Sequence, residues 1–200
     1  MLVQNKEKFY SPDEYRELEE TAEFRNEYLD GKIVQMSGGS INHSRIIRNL
    51  SRVLGNLLEG QPYELFHNDL RLWIPRYRRG TYPDVMVIEG EPVFTEGRSD
   101  EILNPVLIVE VLSKYSEKVN REDKFRFYRS IPQFREYLLV SPYEILVQQY
   151  IKTASNEWLF REDEEETATV SLDSVEVKMS MTDIYELVVF EMLQPCKVPI

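Results

Sequence analysis

One stretch of the chain constrains its fold more than any other, a near-continuous apolar run from Leu103 to Leu112. Branched side chains dominate this run, which is too short to span a bilayer and is typical of a central strand buried on both faces of a sheet. A single carboxylate, Glu110, interrupts it. Because an unpaired carboxylate is costly in apolar surroundings, Glu110 is expected to be paired, hydrogen-bonded or bound to a metal ion.

A second carboxylate stands beside another apolar segment. Asp84 follows Pro83 and precedes the apolar residues 85–88. If the two strands are neighbours, Asp84 and Glu110 can share one Mg²⁺ ion, a hard cation that takes oxygen ligands and keeps several water molecules. Such an ion polarises a phosphate group and lowers the pKa of an attacking water molecule. The alternative interpretation of Asp84 is a turn residue at the start of a strand.

The other segments alternate between helical and extended patterns. The residues of a capping box, Ser11-Pro12-Asp13-Glu14, predict a helix that runs to about Glu20. Glu27 to Met36 is typical of a hairpin, with Asp30-Gly31 as its type I′ turn. The spacing of apolar residues predicts a long helix from Ser40 to about Leu58.

Shorter elements complete the prediction. They are strands at 63–67, 70–74, 84–88, 136–140 and 145–151, a helix at 116–129, further strands within 158–179 and a short helix at 181–186. This order predicts an α/β (α+β) fold in which a mixed β-sheet is flanked by helices. The chain has neither repeats nor Gly/Ser linkers, so residues 1–200 are predicted to form one domain.

The charge of the chain has the wrong sign for tight binding to a phosphate backbone. There are 35 acidic and 24 basic residues, which give a net charge of −11. Basic residues nevertheless flank both carboxylates, and a ligand responds to the local potential rather than to the net charge. They are Arg71, Arg76, Arg78 and Arg79 before Asp84, and Lys114, Lys118, Arg121, Lys124, Arg126 and Arg129 after Glu110.

The cellular compartment is predicted from the absence of a second cysteine and of a signal peptide in the sequence. A single cysteine, Cys196, excludes an internal disulfide and fits a reducing environment. The first twenty residues contain no basic segment followed by an apolar one, so no signal peptide is predicted. A cytoplasmic protein without a membrane partner is therefore expected.

Short motifs surround both carboxylates. They are Pro83-Asp84, Glu110-Val111-Leu112-Ser113, Asp123-Lys124-Phe125 with Tyr128, the upstream segments 27–31, 36–39 and 42–44, and the downstream segments 131–132 and 135–137. In order and spacing, the set resembles the Uma2 (DUF820) family of restriction-endonuclease-like proteins in the PD-(D/E)xK nuclease superfamily. The resemblance covers roughly residues 10–150 and leaves 151–200 as a β-rich extension. It implies a restriction-endonuclease-like fold and hydrolysis of DNA phosphodiester bonds that depends on Mg²⁺ or Mn²⁺.

The resemblance also implies roles for particular residues. Asp84 and Glu110 are the implied metal ligands, and Glu27 is a third carboxylate that reaches the metal or its water. The superfamily pattern has a lysine two residues after the second acid, where this chain has Leu112. The resemblance implies that this lysine has moved onto the following helix, at Lys124. Asn120 stands where the family usually has an aspartate, and it can hydrogen-bond but cannot supply charge.

Each remaining candidate for the functional site also has a purely structural interpretation. Lys124 could be a solvated helix lysine, and Glu27 an exposed hairpin glutamate. His43, in the first turn of the long helix, is either a capping-region residue or a neighbour of the metal ligands. The three arginines of the loop before Asp84, which are Arg76, Arg78 and Arg79, either contact phosphate or are ordinary solvated charge.

The functional prediction is a Mg²⁺-dependent endonuclease acting on DNA. One alternative is a binding module for nucleic acid or protein that kept the fold and lost activity, which Asn120 and the acidic balance favour. Another is a metal-independent hydrolase that uses its carboxylates directly, such as a glycosidase. A homodimer would match the two-fold symmetry of duplex DNA.

Overall fold

A computed structural model describes residues 8–113 and 123–190, and its elements are given in chain order. The strands are β1 (Asn26–Leu29), β2 (Lys32–Gln35), β3 (Tyr63–His67), β4 (Arg71–Ile74), β5 (Arg79–Thr81), β6 (Val85–Glu89), β7 (Glu101–Ile102), β8 (Pro105–Val111), β9 (Glu136–Val140), β10 (Val147–Ala154), β11 (Glu157–Asp163), β12 (Thr169–Leu172) and β13 (Val177–Ser180). The helices are α1 (Pro12–Glu20), α2 (Ile41–Leu57), α3 (Phe125–Tyr128) and α4 (Met181–Ile184), and a 3₁₀ turn spans Pro75–Tyr77.

The apolar run forms the middle of a six-stranded mixed sheet, as predicted. The strand order is β11-β10-β9-β8-β6-β3, and every residue of β8 is buried. β8 pairs antiparallel with β6 and parallel with β9. Val85 lies opposite Val109 in this register, and continuing it by one residue places Asp84 opposite Glu110. The two predicted acid-bearing segments are therefore neighbours, although Asp84 itself precedes β6.

Each face of the six-stranded sheet is covered by an apolar cluster. Leu107 and Val109 face a cluster that includes residues of α2, β12, β13 and α4. Ile108 faces the opposite cluster, which contains Tyr128 of α3. Because strand residues alternate between faces, Glu110 shares the face of Ile108 and points toward α3.

A second sheet has the strand order β2-β1-β5-β4-β7. Its hairpin β1–β2 turns at Asp30 and Gly31, both with positive φ (45° and 100°), as the predicted type I′ turn requires. α1 packs on this sheet through Tyr15, which stacks on Tyr28. The sheet matters for function because β1 carries Glu27 and β5 carries Arg79 and Thr81.

The helices agree with the sequence prediction wherever they are described. Ser11 forms the expected capping box of α1, and Ser40 caps α2. Of the helix predicted at 116–129, residues 123–128 are helical and Arg129 is the C-cap, whereas 114–122 lie outside the described residues. No helix within the described ranges has the length and apolar character needed to cross a membrane.

Candidate active site

The site is built around the carboxylate of Glu110. Its side chain emerges from the central strand β8, and the residue is only 4% exposed. Glu110 Oε1 accepts hydrogen bonds from Lys124 Nζ at 3.0 Å and from the Tyr128 hydroxyl at 2.6 Å. Both donors come from the helical segment that follows the strand, where a spacing of four residues puts them on one face.

Lys124 lies between two carboxylates. Its Nζ atom is 3.0 Å from Glu110 Oε1 and 3.3 Å from Glu27 Oε1, and the residue is 8% exposed. Burial alone would lower the pKa of Lys124, but the negative charges of Glu110 and Glu27 raise it above its ordinary value. The side chain is therefore a buried ammonium ion rather than a solvated surface lysine.

Glu27 reaches the site from the other sheet. Its Oε1 atom accepts a hydrogen bond from the Thr81 hydroxyl on β5, in addition to the contact with Lys124. Burial would raise the pKa of Glu27, but the Lys124 ammonium and the Thr81 hydrogen bond bring it below its ordinary value. Glu27 is therefore ionised at neutral pH.

Asp84 is held by the backbone of the neighbouring strand. Its Oδ2 atom accepts the N–H of Val111 at 2.7 Å and lies 3.4 Å from His43 Nε2. Burial would lower the pKa of His43, but its hydrogen bond to Asp84 and the charges of Asp84 and Glu110 raise it. Gly39 permits this placement, because a Cβ atom there would lie 2.5 Å from His43 Nδ1.

The environment of Glu110 favours a positive ion. Burial raises its pKa to about 7, with Lys124 opposing this shift and the Asp84 charge adding to it. Glu27 and Glu110 both contact the Lys124 ammonium, and the negative charge of Asp84 also acts on Glu110. A divalent cation beside Asp84 and Glu110 would offset the excess negative charge.

The oxygen atoms of Asp84 and Glu110 fit a hard cation. Among residues 8–113 and 123–190, the hydrogen bonds to Asp84 fall on Oδ2 and those to Glu110 fall on Oε1, so none of these residues donates to the second oxygen of either carboxylate. Within the same residues, no three His, Cys, Asp or Glu side chains converge as a ready metal cluster. Mg²⁺ does not require such a cluster, since it is commonly held by one or two carboxylates together with water and substrate phosphate.

The three candidate arginines do not converge. Arg79 is half-buried near Glu27, and its guanidinium lies 4.0 Å from the centre of the Phe127 ring. Arg78 is exposed and lies 3.6 Å from Asp30, at the hairpin turn. Arg76 is exposed on the 3₁₀ turn and lines a separate pocket. Of these three arginines, only Arg79 therefore lies near the carboxylates of Glu27, Asp84 and Glu110.

Two further polar groups belong to the site. Tyr128 was part of the family motif, but its bond to Glu110 was not predicted, although its spacing from Lys124 was a usable signal. Thr81 carries no such signal, because it lies on a three-residue strand that the sequence does not reveal. Asn120 lies outside the described residues.

One acid just before β6, a second on the adjacent strand β8 and a lysine from the following helical segment that contacts the second acid give this protein a restriction-endonuclease-like architecture. The fold is shared by a crystal structure of a "putative nuclease belonging to DUF820" from Anabaena variabilis, with 21% identity, a TM-score of 0.73, and coverage of 90% of this chain and 99% of that one.

Sequence comparison gives the family. The model described as "Uma2: Putative restriction endonuclease" matches residues 12–182, and the chain belongs to this family. The resemblance in the sequence motifs covers roughly residues 10–150, whereas the family match continues through β13 and into α4.

Two relatives come from Synechocystis sp. (strain PCC 6803). The uncharacterized protein sll1609 is 38% identical over 177 residues, which are 88% of this chain and 100% of the relative. The uncharacterized protein slr1290 is 39% identical over 150 residues, which are 74% of this chain and 77% of the relative.

Glu110 gives the free energy of unfolding a pH dependence of definite sign. Its pKa in the folded protein, about 7, is above the ordinary 4.5, so its contribution to stability is lost as the pH rises through 7. Relative to Glu110→Gln, which cannot titrate, the wild type should lose up to about 3 kcal/mol between about pH 5 and about pH 8. Urea unfolding without divalent ions measures this difference.

The exposed carboxylate Glu164 supplies the control for that experiment. Glu164→Gln should reproduce the wild-type pH profile. A difference between wild type and Glu110→Gln that stays constant, or grows with pH in favour of the wild type, would contradict the raised pKa of Glu110.

The Tyr128 hydroxyl should stabilise the protein mainly when Glu110 is ionised. Tyr128→Phe removes a donor to a buried carboxylate, and we expect a cost of roughly 1.5–3 kcal/mol at pH values above 7 and less below pH 5. Tyr185→Phe is the matched control, because that buried hydroxyl bonds the backbone of Leu146 rather than a carboxylate. Its cost should not change with pH. Equal pH profiles for the two variants would contradict this assignment.

Proposed function

We propose that this protein is a metal-dependent endonuclease that hydrolyses DNA phosphodiester bonds. One observation carries the proposal: buried Asp84 directly precedes β6, buried Glu110 lies on the neighbouring strand β8, and Lys124 Nζ is fixed 3.0 Å from Glu110. Family membership supports the same conclusion, because the family is described as a restriction endonuclease.

Asp84 and Glu110 would hold the cation, Mg²⁺ or Mn²⁺. When bound, the ion supplies charge that polarises the scissile phosphate and lowers the pKa of a water molecule. Asp84 is prepared for this role because its other oxygen is fixed by the Val111 N–H. A ligand whose geometry is fixed before binding costs less conformational entropy to use.

Lys124 would stabilise the negative charge that develops on the phosphate oxygens. Its contacts with Glu110 and Glu27 keep the ammonium charged although it is buried. Glu27, ionised at neutral pH, would orient this ammonium and accept a proton from water. The guanidinium of Arg79 adds positive charge beside Glu27.

The net charge of −11 does not oppose this proposal. Much of the acidity lies elsewhere, as in the run Glu162 to Glu166, whereas Arg79 and Lys124 are at the site. A nucleic acid responds to the potential at the surface it contacts, so an acidic body can carry a basic contact region.

Titration of Mn²⁺ by calorimetry tests the metal site. Wild type should bind Mn²⁺, and the Asp84→Ala, Glu110→Ala double variant should show no detectable binding. The control Glu164→Ala, Glu165→Ala removes the same charge from an exposed segment and should bind like the wild type. Nicking of supercoiled plasmid should fall by more than about 100-fold in the site variant, since the ion contributes several kcal/mol to catalysis.

Other outcomes would select the alternatives. A wild type that neither binds Mn²⁺ nor nicks DNA would be a binding module that has lost activity. Cleavage that persists in excess chelator would indicate a hydrolase that uses its carboxylates without a metal. Cleavage by the Glu110→Ala variant would overturn the proposed site.

Substitution of Lys124 should reduce catalysis without removing metal binding. Lys124→Met is expected to retain Mn²⁺ binding and to lose about 100- to 1000-fold in kcat, the range seen when one electrostatic donor is removed. Lys124→Arg keeps the positive charge. A kcat that is retained in Lys124→Arg would show that the methionine variant loses kcat through the missing charge rather than through misfolding. Lys178→Met, an exposed lysine on β13, is the control. Unchanged kcat in Lys124→Met would exclude the lysine from the reaction.

A further inference from the structure

A basic pocket lies on the other side of α3 from Glu110. Its volume is about 310 Å³, and four cationic side chains line it, those of Arg76, Arg126, Arg129 and Lys152. The other lining groups are hydroxyl, amide or aromatic, and no carboxylate of the described residues is among them. Helical spacing explains why the pocket and Glu110 lie on different sides of α3. Lys124 and Tyr128 face Glu110, whereas Arg126 and Arg129 line the pocket.

These four cations differ from other basic residues of this acidic protein in how they are paired. Across residues 8–113 and 123–190, none of the four forms an ion pair with a carboxylate. Elsewhere, Arg52, Arg98 and Arg135 each have a carboxylate oxygen at 2.7 Å. Four such cations around one concave surface produce a positive potential that selects an anion.

A row of arginines and aromatic rings connects this pocket to the acidic cluster. The Arg79 guanidinium, near Glu27, lies 4.0 Å from the centre of the Phe127 ring. The rings of Phe127 and Tyr77 meet edge to face at 4.8 Å, and Arg126 lies 5.6 Å from the centre of the Tyr77 ring. Tyr77 and Arg126 both line the pocket. Alternating cations and aromatic faces are the surface that a nucleic-acid strand follows.

We propose that this pocket binds a backbone phosphate of the nucleic-acid substrate, at a nucleotide beyond the scissile bond. The inference rests on the proposed nuclease function and adds a second point of contact to it. Arginine suits this role because its planar guanidinium donates two parallel hydrogen bonds to a phosphate. The side chains of Ser130 and Asn156 add neutral donors to the same pocket.

Binding of a fluorescent single-stranded oligodeoxynucleotide, followed by anisotropy in chelator, tests the pocket without cleavage. We expect Arg126→Ala, Arg129→Ala to raise Kd about tenfold or more. The slope of log K against log salt should become shallower by about 0.7, the value for one single-strand phosphate that the protein no longer neutralises. The control Arg161→Ala, Lys178→Ala removes the same charge from exposed positions and should leave both quantities unchanged.

Trp158 reports occupancy of the pocket directly. In a Trp73→Phe background, which leaves Trp158 as the only tryptophan, the oligodeoxynucleotide should change its emission. The change should require a higher oligodeoxynucleotide concentration in the Arg126→Ala, Arg129→Ala variant. Emission that does not respond in either protein would overturn the pocket assignment.

The outcomes separate this inference from the nuclease proposal. Equal affinity in the pocket and control variants would overturn the pocket even if the wild type cleaves DNA. Weakened binding in the pocket variant of a protein that does not cleave would support the pocket while overturning the nuclease. Wild type that binds no oligodeoxynucleotide at all would also overturn the pocket.

Discussion

A buried ammonium ion shared by two carboxylates connects the two sheets of this protein. Lys124 Nζ contacts Glu110 on the six-stranded sheet and Glu27 on the five-stranded sheet. Removing one partner of such a group leaves an uncompensated buried charge, which costs roughly 3–5 kcal/mol. The positions of β1, β8 and α3 are thus coupled by one electrostatic contact. The same contact keeps Lys124 charged although it is buried.

The carboxylates of the site and the cations near them produce potentials of opposite sign. Asp84 and Glu110 concentrate negative charge at the position that the proposed function assigns to a cation, and burial makes ionisation of Glu110 costly. Arg79, Phe127 and the cations beyond them provide the opposite potential next to it. An acidic protein can therefore attract both a divalent cation and a polyanion, because each responds to the field within about a Debye length of its own site.

Local chemistry made some of this arrangement predictable from sequence. The apolar run around Glu110 specified the central strand, Ser11 and Ser40 specified helix starts, and Asp30-Gly31 specified the hairpin turn. The five-stranded sheet was less accessible, because β5 has three residues and exists through pairing with β1 and β4. Thr81 and the Glu27–Lys124 contact were hidden for the same reason. They depend on long-range register, which no local pattern encodes.

The packing around β8 explains why a leucine rather than a lysine stands two residues after Glu110. Leu112 lies two residues beyond Glu110, where strand alternation alone would aim its side chain at the site. In the structure it is 2% exposed and belongs to the apolar cluster that contains Ile108 and Tyr128. A lysine there would bury its ammonium among apolar groups, whereas a lysine on the following helix enters from the side and meets two carboxylates. Leu112 therefore completes the core, and Lys124 supplies the charge.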